Sequence, residues 1–230
     1  MKISIIIPAL NEAETIGSLL RYLKANSQNL VQEIIVCDGG SADDTLFLAE
    51  QAGAITIKTE QKGRALQMNS GASLAEGDIL YFVHADTLPP KTYATDIIEA
   101  VEQGYDLGRY LSVYQSNSQL LKINSFLSRF DTFEGMGGDQ TLFITKTLFS
   151  ETGGYDSRMK IMEEFEFCAR ARKNKRYKIM KKAVLISARK YETSSWFKIQ
   201  KLNYSIVKMY KAGASQESMV QKYKQINNRY

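Results

Sequence analysis

The sequence predicts an α/β fold: one domain with a Rossmann-like, mostly parallel sheet flanked by helices, followed by a C-terminal amphipathic helical extension. Continuous β-branched runs such as ISIII at 3–7 are typical of strands that are buried on both faces. Helical patterns alternate with these runs, which predicts parallel strands joined by crossover connections. No linker rich in proline, serine or glycine divides the 230 residues, so a single domain is favoured.

The N-terminal half repeats a strand–helix unit. The spacing predicts strands at 3–7, 33–37, 54–58 and 78–83, with helices beginning near Asn11, Thr45 and Arg64. We expect Pro8 to end the first strand. We also expect Asn11 to cap the first helix with Glu14 as its partner three residues on.

The second half departs from this alternation. Pro89 and Pro90 suit the first turn of a helix that runs to about residue 103. Strands are then predicted at 106–114 and 140–145, with a helix between them near 119–130. This pattern favours an α+β extension of the same sheet over a second domain.

Composition excludes several classes of protein. Hydrophobic residues make up 44% of the chain and charged residues 24%, as in soluble globular proteins, and no apolar run approaches the roughly 18 residues that span a bilayer. The apolar run at the start is too short for a signal peptide, so we expect a cytoplasmic protein. Cys37 and Cys168 lack the spacing of a zinc site or a disulfide framework.

Charge is distributed unevenly along the chain. Most of the 25 acidic residues precede residue 158, whereas most of the 30 lysines and arginines follow it. Such a split indicates an anionic partner, or two parts that neutralise each other in the fold. Segment 194–212 has the pattern of an amphipathic helix with lysines on its polar face. Its apolar face either packs on the domain, or the helix contacts an anionic membrane surface.

Polar residues follow three of the predicted strands. Asn11, Asp38 and Asp86 stand at the C-terminal strand ends, where open parallel sheets bind ligands. Gly39, directly after Asp38, lets a ligand approach the backbone, although Asp-Gly is also common in tight turns. Lys62 and Arg64 flank a glycine at a helix start, which suits a diphosphate.

Two further groups of residues carry potential chemistry. His84 is the only histidine, and it lies two residues before Asp86, so both side chains point to the same side of an extended segment. A carboxylate with or without an imidazole suits Mn²⁺ or Mg²⁺. Glu163, Glu164 and Glu166 begin a predicted helix, with Glu163 and Glu166 expected on one face. They could supply a base or form a solvated helix start.

Taken in order, these motifs resemble the family 2 glycosyltransferases of the GT-A fold. The residues that carry the resemblance are PALNE (8–12), DGGS (38–41), GRA (63–65) with Gln67 and Asn69, HAD (84–86), GDQ (138–140), GGY (153–155) and EExE (163–166). The resemblance covers about residues 1–190. GRALQMNSGA and FVHADT look most like the radical-SAM/selenodomain-associated transferases within this family.

The resemblance implies a nucleotide-diphosphate sugar bound across the strand ends. Cofactor- and donor-binding positions would be Pro8, Asn11, Glu12, Asp38, Gly39, Arg64, His84 and Ala85. Asp86 would bind Mn²⁺ or Mg²⁺, and Glu164, next to Glu163, would act as the base of an inverting transfer. Residues 1–104 would bind the UDP- or GDP-sugar, 105–190 the acceptor, and 191–230 would form the basic helical extension.

Two positions depart from the family pattern. His84 replaces the first aspartate of the DxD element, and Glu164 replaces the usual aspartate base. These departures leave open an inactive module that only binds nucleotide sugars. A sugar nucleotidyltransferase is disfavoured, because PALNE lacks the glycine-rich, basic loop of that class. The sequence predicts no nucleic-acid partner. It does not identify the acceptor, for which a lipid-linked molecule and peripheral contact with the inner membrane surface through 194–212 stay open.

Overall fold

The computed structural model describes residues 1–59, 63–132, 140–192 and 194–225. Eight strands in this part of the chain form one sheet in the order β3-β2-β1-β4-β7-β6-β8-β5. The strands are β1 (Ile3–Ala9), β2 (Val31–Asp38), β3 (Ile55–Lys58), β4 (Ile79–Phe82), β5 (Thr87–Leu88), β6 (Leu107–Tyr114), β7 (Leu142–Thr145) and β8 (Tyr177–Ile186).

The helices lie between these strands and after them. They are α1 (Ala13–Ala25), α2 (Thr45–Gln51), α3 (Arg64–Leu74), α4 (Tyr93–Glu102), α5 (Gln119–Leu127), α6 (Lys146–Glu151), α7 (Glu163–Ala171), α8 (Trp196–Lys211) and α9 (Gln216–Lys224). A short 3-10 helix covers Arg189–Tyr191. None of the helices in the described ranges is long and apolar enough to cross a membrane.

The predicted parallel core is confirmed. β1 pairs in parallel with β2 and β4, and β2 pairs in parallel with β3. β7 joins antiparallel to β4, and β6 runs antiparallel to β7 and parallel to β8. The second half therefore extends the same sheet with mixed strand directions, as the α+β pattern predicted.

Two local predictions at the end of β1 are wrong. Pro8 does not end the strand, which continues to Ala9 with Pro8 opposite Cys37. Asn11 does not cap α1; the residue before the helix is Glu12, whose side chain makes no capping hydrogen bond, and the first helical N–H, of Ala13, donates to Asp43 Oδ2 (3.1 Å). Asn11 adopts a left-handed φ of 54° instead, and its side chain serves the neighbouring loop.

The sheet is covered by helices on both faces. Alternate residues of β1 point to opposite sides: Ile5 and Ile7 pack in the cluster with α1 and α4, whereas Ile6 packs in the cluster with α3. Helix α3 lies very close to the sheet. A Cβ at Gly71 would meet Ile6 and Cys37 at 2.5 and 2.7 Å, so only glycine allows this approach.

The C-terminal helices pack on the domain. Leu202 and Ile206 of α8 and Met219 of α9 form a buried cluster with Ile161 and Met162. The buried positions of α8 confirm the predicted apolar face, and its apolar contacts lie beside the start of α7. The two cysteines carry free thiols; Cys37 is buried, and burial raises its pKa to about 12.

Candidate active site

The loops that follow β1 and β2 are joined by hydrogen bonds. The backbone N–H of Asn11 donates to Ser41 Oγ (2.8 Å), and the N–H of Ala42 donates to Asn11 Oδ1 (2.8 Å). The left-handed conformation of Asn11 aims both groups at the second loop. Asparagine tolerates this conformation better than most residues. The two loops therefore form one unit at the strand ends.

Asp38 is fully buried and organises its own turn. Its carboxylate accepts hydrogen bonds from the N–H groups of Gly40 and Ser41, both at 2.9 Å, and from the Ser41 hydroxyl. These contacts are those of an aspartate that stabilises a tight turn, which is one of the two interpretations of Asp38-Gly39 given above. Each carboxylate oxygen has two acceptor sites, so this leaves room for a further donor. Recognition of a nucleotide base by Asp38 stays a prediction.

Two amide side chains on α3, those of Gln67 and Asn69, hold neighbouring segments of the site in place. Their partners were not predicted from the sequence. The Gln67 side chain donates to the carbonyls of Ala9 (2.8 Å) and Cys37 (2.7 Å), at the ends of β1 and β2. A Cβ at Gly39 would lie 3.0 Å from the same amide, which explains the small residue there. A buried glutamine on the inner face of a helix was the signal available in the sequence.

Asn69 joins α3 to the loop before α7. Its side chain accepts from the Tyr155 N–H (2.9 Å) and donates to the Tyr155 carbonyl (2.8 Å). A Cβ at Gly154, which has φ +69°, would lie 2.7 Å from Asn69 Oδ1. The GGY motif therefore needs its second glycine for this bridge.

Helix α7 brings two carboxylates to the end of β4. Met162 precedes it with a left-handed φ of 68°, which turns the chain into the helix. Glu164 Oε1 lies 2.9 Å from His84 Nε2, and each side chain is 13% exposed. Glu163, which is buried, lies 3.6 Å from Arg64 at the start of α3. Residues far apart in sequence thus meet at one point.

Glu166 points elsewhere. It forms a two-pronged ion pair with Arg170 (2.7 and 2.9 Å), and Arg170 also donates to the Gly154 carbonyl. Glu163 and Glu166 stand three residues apart on α7 but bind different arginines, so they do not form a pair of adjacent carboxylates. Glu166 has a structural role in holding the GGY turn against α7.

Competing effects shift the pKa values of His84 and Glu163. Burial lowers the pKa of His84, but the adjacent Glu164 carboxylate outweighs it, so the net shift is upward. Burial raises the pKa of Glu163, against the opposing charge of Arg64. The site therefore favours protonated imidazole and disfavours a second bare carboxylate beside Glu164.

Asp86 and Glu12 share an arginine. Arg189 binds both carboxylate oxygens of Glu12, and its Nη2 lies 3.8 Å from Asp86 Oδ2. Arg189 thus joins the carboxylates that follow β1 and β4. Pro8 and Ala85 are buried in the backbone that frames the site, and donor contacts at both stay predictions.

The residues near Asp86 are compatible with a divalent cation that is held mainly by the phosphates of a bound substrate and by water. Within the described ranges, no three His, Cys, Asp or Glu side chains converge on one point as a metal site. Asp86 is 30% exposed, whereas the imidazole of His84 is directed at Glu164. Mg²⁺ commonly binds one or two carboxylates plus substrate phosphates and water, which this donor set fits. Lys62, Gly138 and Asp139 lie outside the described residues.

A cleft of about 490 Å³ opens on the other side of Glu163 and Glu164. Its walls come from β6, α5, α7, the 3-10 helix, α8 and α9, together with Arg64 of α3. Aromatic and aliphatic side chains predominate, among them Tyr114, Leu127, Phe130, Phe165, Tyr191, Tyr204, Ile206, Val207 and Tyr223. Amide side chains of Asn124, Gln140, Gln200 and Asn203 add hydrogen-bonding groups. Arg64, Glu163 and Glu164, which also line the cleft, were predicted as site residues; its aromatic and aliphatic residues were not.

Comparison with known proteins gives partial sequence matches. The chain is 41% identical to a glucosyl-3-phosphoglycerate synthase of Mycolicibacterium paratuberculosis over 98 residues, which are 38% of this chain and 29% of that protein. It is 31% identical to a dolichol-phosphate mannosyltransferase of Pyrococcus furiosus over 112 residues, 46% of this chain and 32% of that protein. These matches thus span about a third of the length of the curated relatives.

A solved structure supports the fold. Glucosyl-3-phosphoglycerate synthase of Mycobacterium tuberculosis, in complex with Mn²⁺, UDP-glucose and phosphoglyceric acid, superposes with a TM-score of 0.66. The superposition covers 93% of this chain and 80% of that one at 17% identity. The model of the family described as Glycosyl transferase family 2 matches residues 4–153, from β1 through the strand-end loops to the GGY motif. The chain belongs to glycosyl transferase family 2.

Proposed function

We propose that this protein transfers a sugar, with inversion, from a UDP- or GDP-sugar to an acceptor hydroxyl in the apolar cleft, with Glu164 as the base. One observation carries the proposal. Glu164 lies at the boundary between the polar strand-end loops and the cleft, and His84 holds it there at 2.9 Å. The base of an inverting transfer must reach the acceptor hydroxyl on the face of the sugar opposite the departing diphosphate, and a carboxylate at this boundary is placed to do so.

The donor would lie over the loops after β1, β2 and β4. The residues assigned to it are Pro8, Asn11, Glu12, Asp38, Gly39, Arg64, His84 and Ala85. Asp86 would hold Mn²⁺ or Mg²⁺ together with the diphosphate. When bound, the cation supplies positive charge where the departing diphosphate gains negative charge. The mycobacterial relative of similar fold has been solved with Mn²⁺ and with Mg²⁺, each with UDP or a UDP-sugar, which supports this assignment.

The transfer is a single displacement. The acceptor oxygen forms a bond to the anomeric carbon while the bond from that carbon to the diphosphate oxygen breaks. Glu164 takes the proton of the acceptor hydroxyl, and the bond electrons leave with the nucleoside diphosphate. His84 Nε2–H donates to Oε1 of Glu164, which leaves Oε2 for the acceptor hydroxyl.

The two departures from the family pattern lie in contact with each other. His84 stands where relatives have aspartate, and Glu164 is one methylene longer than the usual base. The imidazole reaches the longer side chain and fixes its position, so each change compensates for the other. This contact supports an active enzyme over an inactive binding module. Membership of the radical-SAM/selenodomain-associated subgroup stays a prediction.

A thermal-shift experiment tests donor binding. UDP or GDP with Mn²⁺ should raise the Tm, because a ligand at about 100 times its Kd adds about 2.7 kcal/mol to stability. Asp86→Ala should abolish the part of the shift that depends on Mn²⁺. Glu102→Ala, an exposed carboxylate at the end of α4, serves as the control and should leave the shift intact. Absence of any shift for both nucleotides in the wild type would refute the donor assignment.

Hydrolysis separates the enzyme from the inactive module. Wild-type protein with Mn²⁺ should slowly hydrolyse UDP-glucose or GDP-mannose without an acceptor, because water can replace the hydroxyl beside Glu164. A module would bind nucleotide without turnover of either donor. Glu164→Gln should lower hydrolysis by about 10²–10⁴-fold and keep the thermal shift.

A further inference from the structure

Helix α5 and the turn that follows it present apolar side chains to solvent. Ile123, Phe126 and Phe130 recur at spacings of three and four residues, and each is about half exposed. Phe126 and Phe130 pack edge to face with ring centres 5.5 Å apart. Leu127, beside them, is also about half exposed and lines the cleft. An exposed cluster of this kind is typical of a contact surface.

Helix α8 adds an outward stripe of alternating aromatic and basic residues. Phe197, Lys201, Tyr204 and Lys208 follow one another at helical spacing. Phe197 is 69% and Tyr204 is 71% exposed, while the opposite face of α8 is buried on the domain. The packing of α8 therefore leaves a second face that combines aromatic rings with lysines. Such faces occur where helices lie on membrane surfaces.

The two helices form one surface around the mouth of the cleft. Trp196 at the start of α8 donates through Nε1 to Asn124 Oδ1 of α5 (3.3 Å). Leu127, Phe130 and Tyr204 are exposed and line the cleft. We call this surface the apolar rim; it consists of Ile123, Phe126, Leu127, Phe130, Phe197 and Tyr204.

The lysines of α8 indicate what kind of partner binds the apolar rim. Lys198, Lys201 and Lys208 form no ion pair with any carboxylate in the described part of the chain. A second copy of the chain meeting this face symmetrically would bring the same lysines together and repel. An anionic lipid surface instead offers negative charge to the lysines and an apolar layer to the rings.

We propose that the apolar rim and the lysines of α8 bind the surface of an anionic lipid bilayer, with the mouth of the cleft facing the lipid. The inclusion of α5 extends the contact beyond segment 194–212. The proposal rests on the proposed function in only one respect: the cleft would receive an amphipathic acceptor from the bilayer. Lipid binding itself requires neither donor nor turnover.

Vesicle flotation tests the proposal. The protein should float with vesicles of phosphatidylcholine containing about a third phosphatidylglycerol, and should not float with pure phosphatidylcholine. Lys201→Gln with Lys208→Gln should weaken binding about thirtyfold, the effect of about 1 kcal/mol for each lysine. Phe126→Ser with Phe197→Ser should weaken it at least about tenfold.

The control removes two exposed lysines from the N-terminal half. Lys58→Gln with Lys91→Gln should bind the mixed vesicles like the wild type. All variants should keep the wild-type thermal shift with UDP and Mn²⁺, which shows that they are folded. Equal binding to both vesicle types, or full binding by the rim variants, would overturn the proposal. So would sedimentation as a dimer that the rim substitutions dissociate. Loss of the nucleotide shift with vesicle binding intact would refute the donor assignment alone.

Discussion

The proposed donor side and the proposed acceptor side of this site are built in opposite ways. On the donor side, the polar groups of the strand-end loops bind one another, as Asn11 binds the loop after β2 and Gln67 binds both strand ends. On the acceptor side, aromatic and aliphatic side chains surround a cleft of about 490 Å³. The donor side is fixed by directional hydrogen bonds, whereas the acceptor side offers space and apolar contact.

This difference predicts how the two sides respond to change. A substitution on the donor side should disturb stability and nucleotide binding together, because the same bonds hold the loops and shape the site. A substitution at the exposed mouth of the cleft should disturb neither. Glu164 belongs to both sides, so its loss should affect turnover most and leave both the donor loops and the cleft in place.

Glu164→Gln should have the largest effect. The amide keeps the size of the side chain but cannot take a proton, and general-base catalysis typically contributes about 10²–10⁴-fold. Hydrolysis of the nucleotide sugar should fall by that factor in kcat, with the thermal shift from UDP and Mn²⁺ retained. Loss of the shift as well would mean that Glu164 binds the donor.

Substitutions at the contact between His84 and Glu164 test whether His84 positions the base. His84→Asp and Glu164→Asp should each reduce kcat, the first by repulsion between carboxylates and the second by loss of the 2.9 Å contact. The double variant, which has the family pattern, should be more active than the product of the two losses predicts. A coupling of about 0.5–3 kcal/mol is expected for residues in contact. Simple additivity would contradict the compensation.

Gly154→Ala should have the next largest effect, on the free energy of unfolding. Gly153 and Gly154 both have left-handed φ values, so alanine is strained at either position. A Cβ at Gly154 would also meet Asn69 Oδ1 at 2.7 Å, whereas a Cβ at Gly153 would meet nothing within 4 Å. Overpacking of this kind costs about 1–3 kcal/mol. Urea titration should therefore show Gly154→Ala to be less stable than Gly153→Ala by that amount, and equal losses would exclude the clash.

The same contrast explains what could be predicted from the sequence. The parallel core and the turns at the strand ends were predictable because each lies within a short segment, as in Asp38 with its turn. β8 was not predicted, because Lys178, Lys181 and Lys182 interrupt its apolar pattern. β8 pairs with β5 over only two residues, so much of one edge is open, where lysines are common.

The contact of His84 with Glu164 could not be predicted, since it joins the loop after β4 to α7, which only the fold brings together. The same holds for the walls of the cleft, whose side chains come from elements spread over α3 to α9 and form no local motif. Gln67 and Asn69 were visible as part of a motif, but their partners were not. Local chemistry was therefore predictable, and chemistry made by long-range packing was not.

Glu163→Gln should have a smaller effect that depends on pH. Burial raises the pKa of Glu163 above its ordinary 4.5, so the folded protein binds this proton more tightly than the unfolded chain. Between 4.5 and the raised value, stability falls as pH increases, and the penalty is complete above the folded pKa. Glu163→Gln lacks it, so its Tm relative to the wild type should rise from acidic to neutral pH. Arg64→Gln removes the opposing charge and raises the pKa of Glu163 further. The Tm of this variant relative to the wild type should therefore fall from acidic to neutral pH. A Tm difference that does not vary with pH would contradict the shift.

Tyr204→Ser should have the smallest effect, and it tests the acceptor side of the comparison. Tyr204 is 71% exposed at the mouth of the cleft, so little packing is lost when it is shortened. The free energy of unfolding should change by no more than about 0.5 kcal/mol, and the shift with UDP and Mn²⁺ should be unchanged. A large loss of stability in urea titration would mean that this face of α8 packs against another part of the protein. The cleft mouth would then be as constrained as the donor loops, and the contrast between the two sides would fail.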